Sequence, residues 1–266
     1  MGQQRQRLQS SKDNYRAVRV RQSRQGAPLT TDTRPQRKKR GTSLWSFVSF
    51  VVFLFRCGFQ AKIIAMVHSQ FSGFVLAGGK STRMGQDKAG LTLNGLTLLQ
   101  HALAALREVC RDVAILGKHE LYGSLAPVYE DIFPGCGPLG GIHAALSSSQ
   151  TEFNLIIAVD TPFLAPRFLS YLAEKAIASG AVVTTPEIDD YTQPLCTVYS
   201  LDFRSIAEHA LRLGNYKIVP LFPQGRTLVI KEAELRQFAF TADMFENLNT
   251  PEDLARARRR FSGQDT

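Results

Sequence analysis

The sequence predicts an α/β protein with a Rossmann-like, doubly wound sheet that is mostly parallel and carries helices on both faces. Two observations favour this class. Short apolar segments of strand length alternate with longer segments whose apolar residues recur at helical spacing. The first apolar strand also runs directly into a glycine-rich turn, and doubly wound sheets bind ligands at the carboxyl ends of their strands. We therefore expect a single domain with its ligand site at the carboxyl ends of the strands.

The strand and helix alternation continues along most of the chain. Beyond the glycine-rich turn, apolar periodicity predicts helices over residues 97–109, 139–146, 166–178, 201–213 and 251–260. Strands are predicted over residues 112–116, 127–129, 154–159, 181–185, 195–199 and 227–230. The segment 154–159 is strongly apolar, which predicts a central position in the sheet.

The glycine-rich turn, FVLAGGKSTRMGQDK from Phe74 to Lys88, is suited to binding phosphates. Its three glycines and three cations are Gly78, Gly79, Gly85, Lys80, Arg83 and Lys88. Glycine permits positive φ and close backbone approach, so N–H groups can converge on an anion while the cations supply countercharge. The spacing fits neither a Walker A loop nor a dinucleotide fingerprint. A plain flexible glycine turn is the alternative interpretation.

Two carboxylates follow predicted strands. Asp160 ends the strand LIIAV, where it could bind Mg²⁺ together with nucleotide phosphate oxygens; alternatively, it caps the helix beginning after Pro162, or it caps a turn. Asp131 lies in YEDIFPGCGPLGGIHAAL and could accept hydrogen bonds from a base edge or a ribose.

In FENLNTPEDL, Asn249 or Thr250 can cap a helix, whereas capping does not account for Asn247.

The positive charge is concentrated near the amino terminus. The chain has 266 residues, is 44% hydrophobic and has a formal net charge of +9. Residues 1–66 hold 14 of the 32 Lys and Arg and 2 of the 23 Asp and Glu, so the remainder carries 18 cations and 21 anions. A basic surface for nucleic acid is therefore not expected in the domain, and nucleic acid is not expected as a partner.

We expect residues 1–66 to be a basic, disordered extension and residues 67–266 to be the domain. The apolar run 44–55 is shorter than the roughly 20 residues that cross a bilayer. Three alternatives stay open: a reading frame extended upstream of a true start at Met66, a tail with a weak membrane contact, or a targeting segment. Membrane contact is expected only if this extension is genuine.

The four cysteines indicate neither a disulfide framework nor a zinc site, because they are scattered without paired spacing. They are Cys57, Cys110, Cys136 and Cys196. A reducing cytoplasm is the expected location.

Taken together and in order, LAGGKSTRMGQDK, YEDIFPGCGPLGGI, AVDTPF, QPL and NLNTPEDL resemble the molybdenum cofactor guanylyltransferases over nearly all of residues 72–258. The resemblance implies a Rossmann-like nucleotidyltransferase. Its implied reaction transfers GMP from MgGTP to molybdopterin-bound molybdenum cofactor, releases pyrophosphate and forms molybdopterin guanine dinucleotide. Partners implied in the same way are molybdenum-insertion proteins or acceptor molybdoenzymes.

The resemblance also implies roles for residues. Those for the nucleotide are Leu76, Ala77, Gly78, Gly79, Lys88, Asp131 and Asp160. Asp160 would also hold Mg²⁺, and Lys88 and Arg83 would act with it in catalysis. The residues implied for the pterin substrate are Gln193, Asn247 and Asn249. The family often has a nucleotide-binding asparagine in the segment that reads ILGKHE here, Ile115 to Glu120, and this chain has none there.

Other functions remain open at this stage. A cytidylyltransferase acting on the same cofactor, or a sugar-phosphate nucleotidyltransferase, would use the same loop and metal. From a different class, the protein could be a non-catalytic GTP-binding regulator.

Overall fold

The computed structural model describes residues 69–78 and 87–262. The predicted extension 1–66 lies outside the described residues, as do Gly79, Lys80, Arg83 and Gly85 of the glycine-rich turn. Among the described residues, none of the helices combines the length and the apolar character needed to span a bilayer.

The strands alternate with helices as predicted. The strands are β1 (Phe71–Leu76), β2 (Thr92–Leu93), β3 (Leu96–Thr97), β4 (Asp112–Leu116), β5 (Val128–Tyr129), β6 (Phe153–Ala158), β7 (Val183–Ile188), β8 (Tyr191–Thr192), β9 (Cys196–Ser200) and β10 (Thr227–Ile230). The helices are α1 (Leu98–Arg107), α2 (His119–Tyr122), α3 (Pro138–Ser148), α4 (Pro166–Ser179), α5 (Phe203–Arg212), α6 (Glu232–Gln237) and α7 (Pro251–Phe261). Short 3-10 turns span Lys88–Gly90, Val219–Leu221 and Ala242–Phe245.

The main sheet of the described region has the order β10-β7-β9-β6-β1-β4-β5, and β8 pairs with β7 outside this path. The pairs β1–β4, β1–β6, β4–β5 and β7–β10 are parallel. β9 runs antiparallel to both of its neighbours, β6 and β7. The sheet is therefore mostly parallel, and this confirms the predicted fold class.

Two apolar clusters cover the two faces of the sheet. One cluster contains Phe71, Val75 and Leu155 from the strands and packs against α1, α4, α6 and α7. The other contains Phe74 and Ile156 and packs against α3 and α5. Successive strand residues point to opposite faces, so neighbours such as Leu155 and Ile156 enter different clusters. β6 is buried along its whole length, as expected for a central strand with helices on both sides.

The last helix begins where the sequence predicts it. Thr250 is the N-cap and forms a capping box with Asp253, and Pro251 occupies the first helical position. The side chain of Thr250 accepts a hydrogen bond from the Asp253 backbone N–H at 3.1 Å. Of the two predicted N-cap candidates, Asn249 and Thr250, the N-cap is Thr250. The Asn249 side chain is therefore available for other contacts.

Candidate active site

The site lies where the connections leaving the sheet diverge. β4 lies on one side of β1 and β6 on the other, and Leu76 pairs with Ala158 at the carboxyl ends of β1 and β6. The Val159 N–H donates to the Leu76 carbonyl at 3.1 Å, which extends this pairing by one residue. The chain leaves β1 for β4 on one side and leaves β6 for β7 on the other, and doubly wound sheets bind ligands where the strand order reverses in this way. The described ends of the predicted loop, Gly78 and Lys88, therefore lie with Asp160 at the carboxyl ends of these strands.

Lys88 joins two polar residues at this edge. Its Nζ donates to Asp160 Oδ2 at 3.2 Å and to Asn249 Oδ1 at 2.6 Å. The side chains of Lys88 and Asp160 are about one-fifth exposed, at 19% and 22%. The ammonium group has three donors, so one remains for an anion. The structure thus brings together three residues that the sequence assigns to nucleotide, metal and pterin binding.

Asp160 does not act as a helix cap. The next helix, α4, begins at Pro166 with Ala165 as its N-cap, five residues beyond Asp160. The Asp160 backbone carbonyl instead accepts a hydrogen bond from the Leu248 N–H at 2.9 Å. This contact attaches the segment before α7 to the end of β6. The interpretation of Asp160 as the cap of the helix after Pro162 is wrong.

Asn249 is held by the cap of α7. Its backbone N–H donates to Asp253 Oδ2 at 2.9 Å, and the same oxygen accepts the Thr250 N–H at 2.9 Å. These backbone donors, the Asn249 N–H foremost, together with Arg256 hold the pKa of Asp253 at about 2. The carboxylate therefore stays ionised at neutral pH and fixes the backbone from which Asn249 reaches Lys88.

The backbone at the end of β1 is already hydrogen-bonded. The N–H groups of Ala77 and Gly78 both donate to the Leu116 carbonyl, at 3.0 and 3.1 Å. In this conformation neither N–H is available to a phosphate. Gly79 and Arg83, which were predicted to bind phosphate, lie outside the described residues, so these two assignments stay predictions.

Asp131 and the side chain at the end of β1 both border Gly141, in the first turn of α3. A Cβ placed on Gly141 would lie 2.5 Å from Leu76 Cδ2 and 3.6 Å from Asp131 Oδ1. A side chain at position 141 would therefore require the Leu76 side chain to shift. Partial desolvation raises the pKa of Asp131, and the neighbouring Glu130 raises it further. An exposed carboxylate therefore stands next to Leu76, at the edge of the sheet that carries Lys88.

The other predicted pterin residues make no described contact with Lys88 or Asp160. The Ala158 N–H donates to the Leu195 carbonyl at 2.8 Å, and because β9 is antiparallel to β6, Gln193 lies at the Asp160 end of the sheet. The Gln193 side chain donates to the Tyr191 carbonyl at 3.2 Å. Asn247 is exposed, two residues before Asn249.

Two residues that the sequence analysis does not single out support Lys88. Tyr122 Oη donates to Asp87 Oδ2 at 2.5 Å, and Asp87 directly precedes Lys88. Tyr122 lies two residues beyond Ile115–Glu120, the segment where the family asparagine is missing, and its ring fills the space beside Gly117. In the sequence around Asp87, only the Asp87–Lys88 pair hints at this hydrogen bond, because Tyr122 is 35 residues away.

A metal at this site would depend on few protein ligands. In the part of the chain that the structure describes, no group of three or more His, Cys, Asp and Glu side chains is placed to hold a metal ion. Mg²⁺ nevertheless accepts one or two carboxylates, with water and substrate phosphates completing its octahedron. Asp160, at the end of β6 and partly exposed, fits that requirement, with the Asn249 amide close by.

A mostly parallel α/β sheet with helices on both faces and polar residues at its switch point defines a protein of the doubly wound class, which binds ligands at this position. The chain belongs to the MobA-like NTP transferase family, whose domain model matches residues 73–225. It is therefore a nucleotidyltransferase.

Relatives of known sequence and structure agree. The chain is 37% identical over 191 residues to a probable molybdenum cofactor guanylyltransferase of Pelotomaculum thermopropionicum, covering 71% of this chain and 92% of that protein. It is 34% identical over 189 residues to the molybdenum cofactor guanylyltransferase of Desulfosudis oleivorans, covering 70% and 93%. The solved molybdopterin-guanine dinucleotide biosynthesis protein A from Archaeoglobus fulgidus superposes with a TM-score of 0.64 at 27% identity, covering 72% and 99%.

Proposed function

We propose that this protein transfers GMP from MgGTP to molybdopterin-bound molybdenum cofactor, releasing pyrophosphate and forming molybdopterin guanine dinucleotide. The observation that carries the proposal is the cluster of Lys88, Asp160 and Asn249 at the ends of β1 and β6. It places a cation beside a carboxylate at the switch point of a family of nucleotidyltransferases, several of which are named for this reaction.

The reaction requires charge neutralisation and alignment. An oxygen of the molybdopterin terminal phosphate forms a bond to the α-phosphorus of GTP. The bond from the α-phosphorus to the oxygen bridging the β-phosphorus breaks, and pyrophosphate leaves with that oxygen. Lys88 offsets the negative charge on the phosphates through its third donor, and Arg83 would assist it. No covalent intermediate with the protein is needed, because the acceptor phosphate is already a nucleophile.

Mg²⁺ would be held by Asp160 and would supply charge stabilisation at the transferred and leaving phosphates. In the described structure Lys88 Nζ lies on Asp160 Oδ2, so the lysine occupies part of the space around this carboxylate. Asn249 accepts a hydrogen bond from the same ammonium group. It would therefore keep Lys88 at the site when Asp160 also binds Mg²⁺.

Guanine recognition is assigned to Asp131 and the neighbouring strand end, Leu76 to Gly79. A carboxylate has two oxygens that can accept from the adjacent N1–H and N2–H₂ donors of guanine. Cytosine has no such adjacent pair on its pairing edge, so this contact would favour GTP over CTP. Gly141 supports the assignment because the side chains of Leu76 and Asp131 both border it.

The pterin substrate is assigned to the opposite part of the edge, near Gln193 and Asn247, with Asn249 between the two substrates.

Residues 67–266 would be the catalytic domain, and residues 1–66 an extension that the reaction does not use. The cytoplasm is the proposed location, where molybdenum-insertion proteins or acceptor molybdoenzymes would receive the product. Free Cys110, Cys136 and Cys196 support a reducing compartment.

The experiment is a pyrophosphate-release assay with purified protein, Mg²⁺ and molybdopterin-bound cofactor, run in parallel with GTP and CTP. We expect release with GTP that depends on the acceptor, and GTP but not CTP should raise the melting temperature of the protein. Preferential release with CTP would identify a cytidylyltransferase. Binding of GTP without any release in the presence of the acceptor would identify a regulator and contradict the proposal.

A further inference from the structure

The hydrogen bond between Tyr122 and Asp87 links the start of the Lys88 turn to another part of the sheet. Tyr122 Oη donates to Asp87 Oδ2 at 2.5 Å, and the tyrosine is only 6% exposed. The second carboxylate oxygen, Asp87 Oδ1, accepts the Ala89 backbone N–H at 3.2 Å. Both carboxylate oxygens of Asp87 therefore accept a hydrogen bond, one from Tyr122 and the other from Ala89.

Asp87 is the N-cap of the 3-10 turn Lys88–Gly90. The side chain of an N-cap fixes the first turn by satisfying a backbone N–H that has no partner inside the turn. Lys88 is the first residue of this turn, so its Cα is placed by the orientation of Asp87. From that position its Nζ reaches Asp160 and Asn249. We propose that Tyr122 is a positioning residue for Lys88 and acts through the Asp87 carboxylate.

The Tyr122 ring is itself fixed by close packing. A Cβ on Gly117 would lie 3.0 Å from the ring atom Cε2, so the ring rests directly on the glycine backbone. The preceding residue, Leu116, accepts the N–H groups of Ala77 and Gly78 through its carbonyl. The short segment from Leu116 to Tyr122 thus contacts both the end of β1 and the start of the Lys88 turn.

The phenol remains a donor at every pH at which the protein is expected to work. Burial raises the pKa of Tyr122, and its hydrogen bond to Asp87 raises it further. Without the phenol, Asp87 would keep its contact with Ala89 but would be free to rotate about it. Lys88 would then sample positions away from the phosphates, and loss of alignment is costly in a reaction that depends on positioning.

The chain offers a matched control for the loss of a tyrosine–carboxylate hydrogen bond. Tyr171 in α4 donates to Glu234 Oε1 in α6 at 2.7 Å, and neither residue touches Lys88 or Asp160 in the described structure. Tyr171→Phe removes the same chemical group from a bond of the same kind. Any general effect of losing such a bond on stability should therefore appear in both variants.

The inference rests on the proposed function, and its test uses magnesium pyrophosphate, the proposed leaving group, so that guanine and pterin recognition do not enter. Dissociation constants are measured for the wild type, Tyr122→Phe, Tyr171→Phe, Lys88→Ala and the double variant Lys88→Ala/Tyr122→Phe. We expect Tyr122→Phe to weaken binding about 10-fold, in keeping with the loss of a hydrogen bond to a charged group. Tyr171→Phe should bind like the wild type.

The double variant separates positioning from general destabilisation. If Tyr122 acts through Lys88, Tyr122→Phe should have no further effect once Lys88 is alanine. The inference would be overturned if Tyr122→Phe weakened pyrophosphate binding equally in the wild type and in Lys88→Ala. It would also be overturned if Tyr122→Phe bound pyrophosphate like the wild type. Failure of the proposed function would look different: the wild type would bind pyrophosphate yet make no guanine dinucleotide from GTP and the cofactor.

Discussion

Lys88 Nζ and Asp160 Oδ2 lie 3.2 Å apart although 72 residues separate them in the chain. β1 and β6 are hydrogen-bonded neighbours, and the two residues follow these strands at the same edge of the sheet. At this end of the sheet the cation can neutralise the phosphates of a nucleoside triphosphate, and the carboxylate can bind the metal that accompanies them. The predictions below follow from this pair and from the contacts that hold it.

The carboxylate of Asp160 should be essential for turnover. Asp160→Asn keeps the shape of the side chain but removes the charge that would hold Mg²⁺. We expect kcat to fall at least about 100-fold, equivalent to roughly 2.7 kcal/mol of barrier. Steady-state kinetics at saturating Mg²⁺ measure this. Asp202→Asn, which breaks a surface pair with Arg226, is the control and should leave kcat unchanged. Turnover of Asp160→Asn near the wild-type rate would remove Asp160 from the site.

Asn249 and Asn247 should behave differently despite their similar positions in the sequence. Asn249 Oδ1 accepts a hydrogen bond from Lys88 at 2.6 Å, whereas Asn247 makes no described contact with Lys88. Asn249→Ala should lower kcat/KM for GTP about 10-fold, since a charge-assisted hydrogen bond is lost. Asn247→Ala should leave kcat/KM for GTP unchanged and raise only the KM for the cofactor. Equal losses of kcat/KM for GTP in both variants would contradict the role of the Lys88 contact.

Gly141 should be intolerant of a methyl group. In Gly141→Ala the added Cβ would lie 2.5 Å from Leu76 Cδ2, so the Leu76 side chain must shift or α3 must move away from it. We expect a loss of about 1 kcal/mol in the free energy of unfolding, the lower end of the cost of overpacking, and a raised KM for GTP, because the added methyl group displaces Leu76 and lies 3.6 Å from Asp131 Oδ1. Urea denaturation measures the first and initial rates the second. Gly90→Ala, where an added Cβ meets nothing within 4 Å, is the control for stability.

His143 should make the protein sensitive to acid. It is buried in α3, its Nδ1 has no hydrogen-bond partner among the described residues, and its ring meets the edge of Phe133 at 5.1 Å. Desolvation lowers its pKa in the folded state. Its contribution to stability is therefore complete above the unfolded pKa of about 6.5 and declines as the pH falls toward the lower, folded value.

The measurement is the free energy of unfolding between pH 8 and pH 5 for the wild type, His143→Gln and His209→Gln. His143→Gln should reduce the loss of stability on acidification. His209→Gln, at an exposed position of α5, is the control that leaves His143 in place. Identical pH dependence in His143→Gln and the wild type would show that His143 titrates normally.

The sequence predicts the strands that form the site better than it predicts the contacts between them. The apolar run 154–159 followed by Asp160 identifies β6 and its exit, because continuous apolar character marks a strand covered on both faces. The hairpin of β2 and β3 and the short strand β8 are missed, since two-residue strands carry no periodicity. The antiparallel direction of β9 follows from pairing with β6 and β7, and local sequence does not encode it.

The same limit applies to the site residues. Capping chemistry predicts the start of α7, and Asn249 is named from the sequence only as a candidate N-cap and, through the resemblance, as a pterin residue. Its hydrogen bond with Lys88 joins positions 161 residues apart and depends on the Leu248 contact with Asp160. Tyr122 is undetectable from its own segment for the same reason. Long-range contacts of this kind arise from tertiary packing rather than from propensity or spacing.

The central claim is that GMP is transferred at the Lys88 and Asp160 site, and isotope tracing tests it most directly. GTP labelled at the α-phosphorus is incubated with Mg²⁺, molybdopterin-bound cofactor and either the wild type or Lys88→Ala, and the labelled products are separated. We predict that the wild type moves the label into molybdopterin guanine dinucleotide and that Lys88→Ala does so at least about 10-fold more slowly. Label remaining in GTP or appearing only as free GMP with the wild type, or equal transfer by Lys88→Ala, would contradict the account.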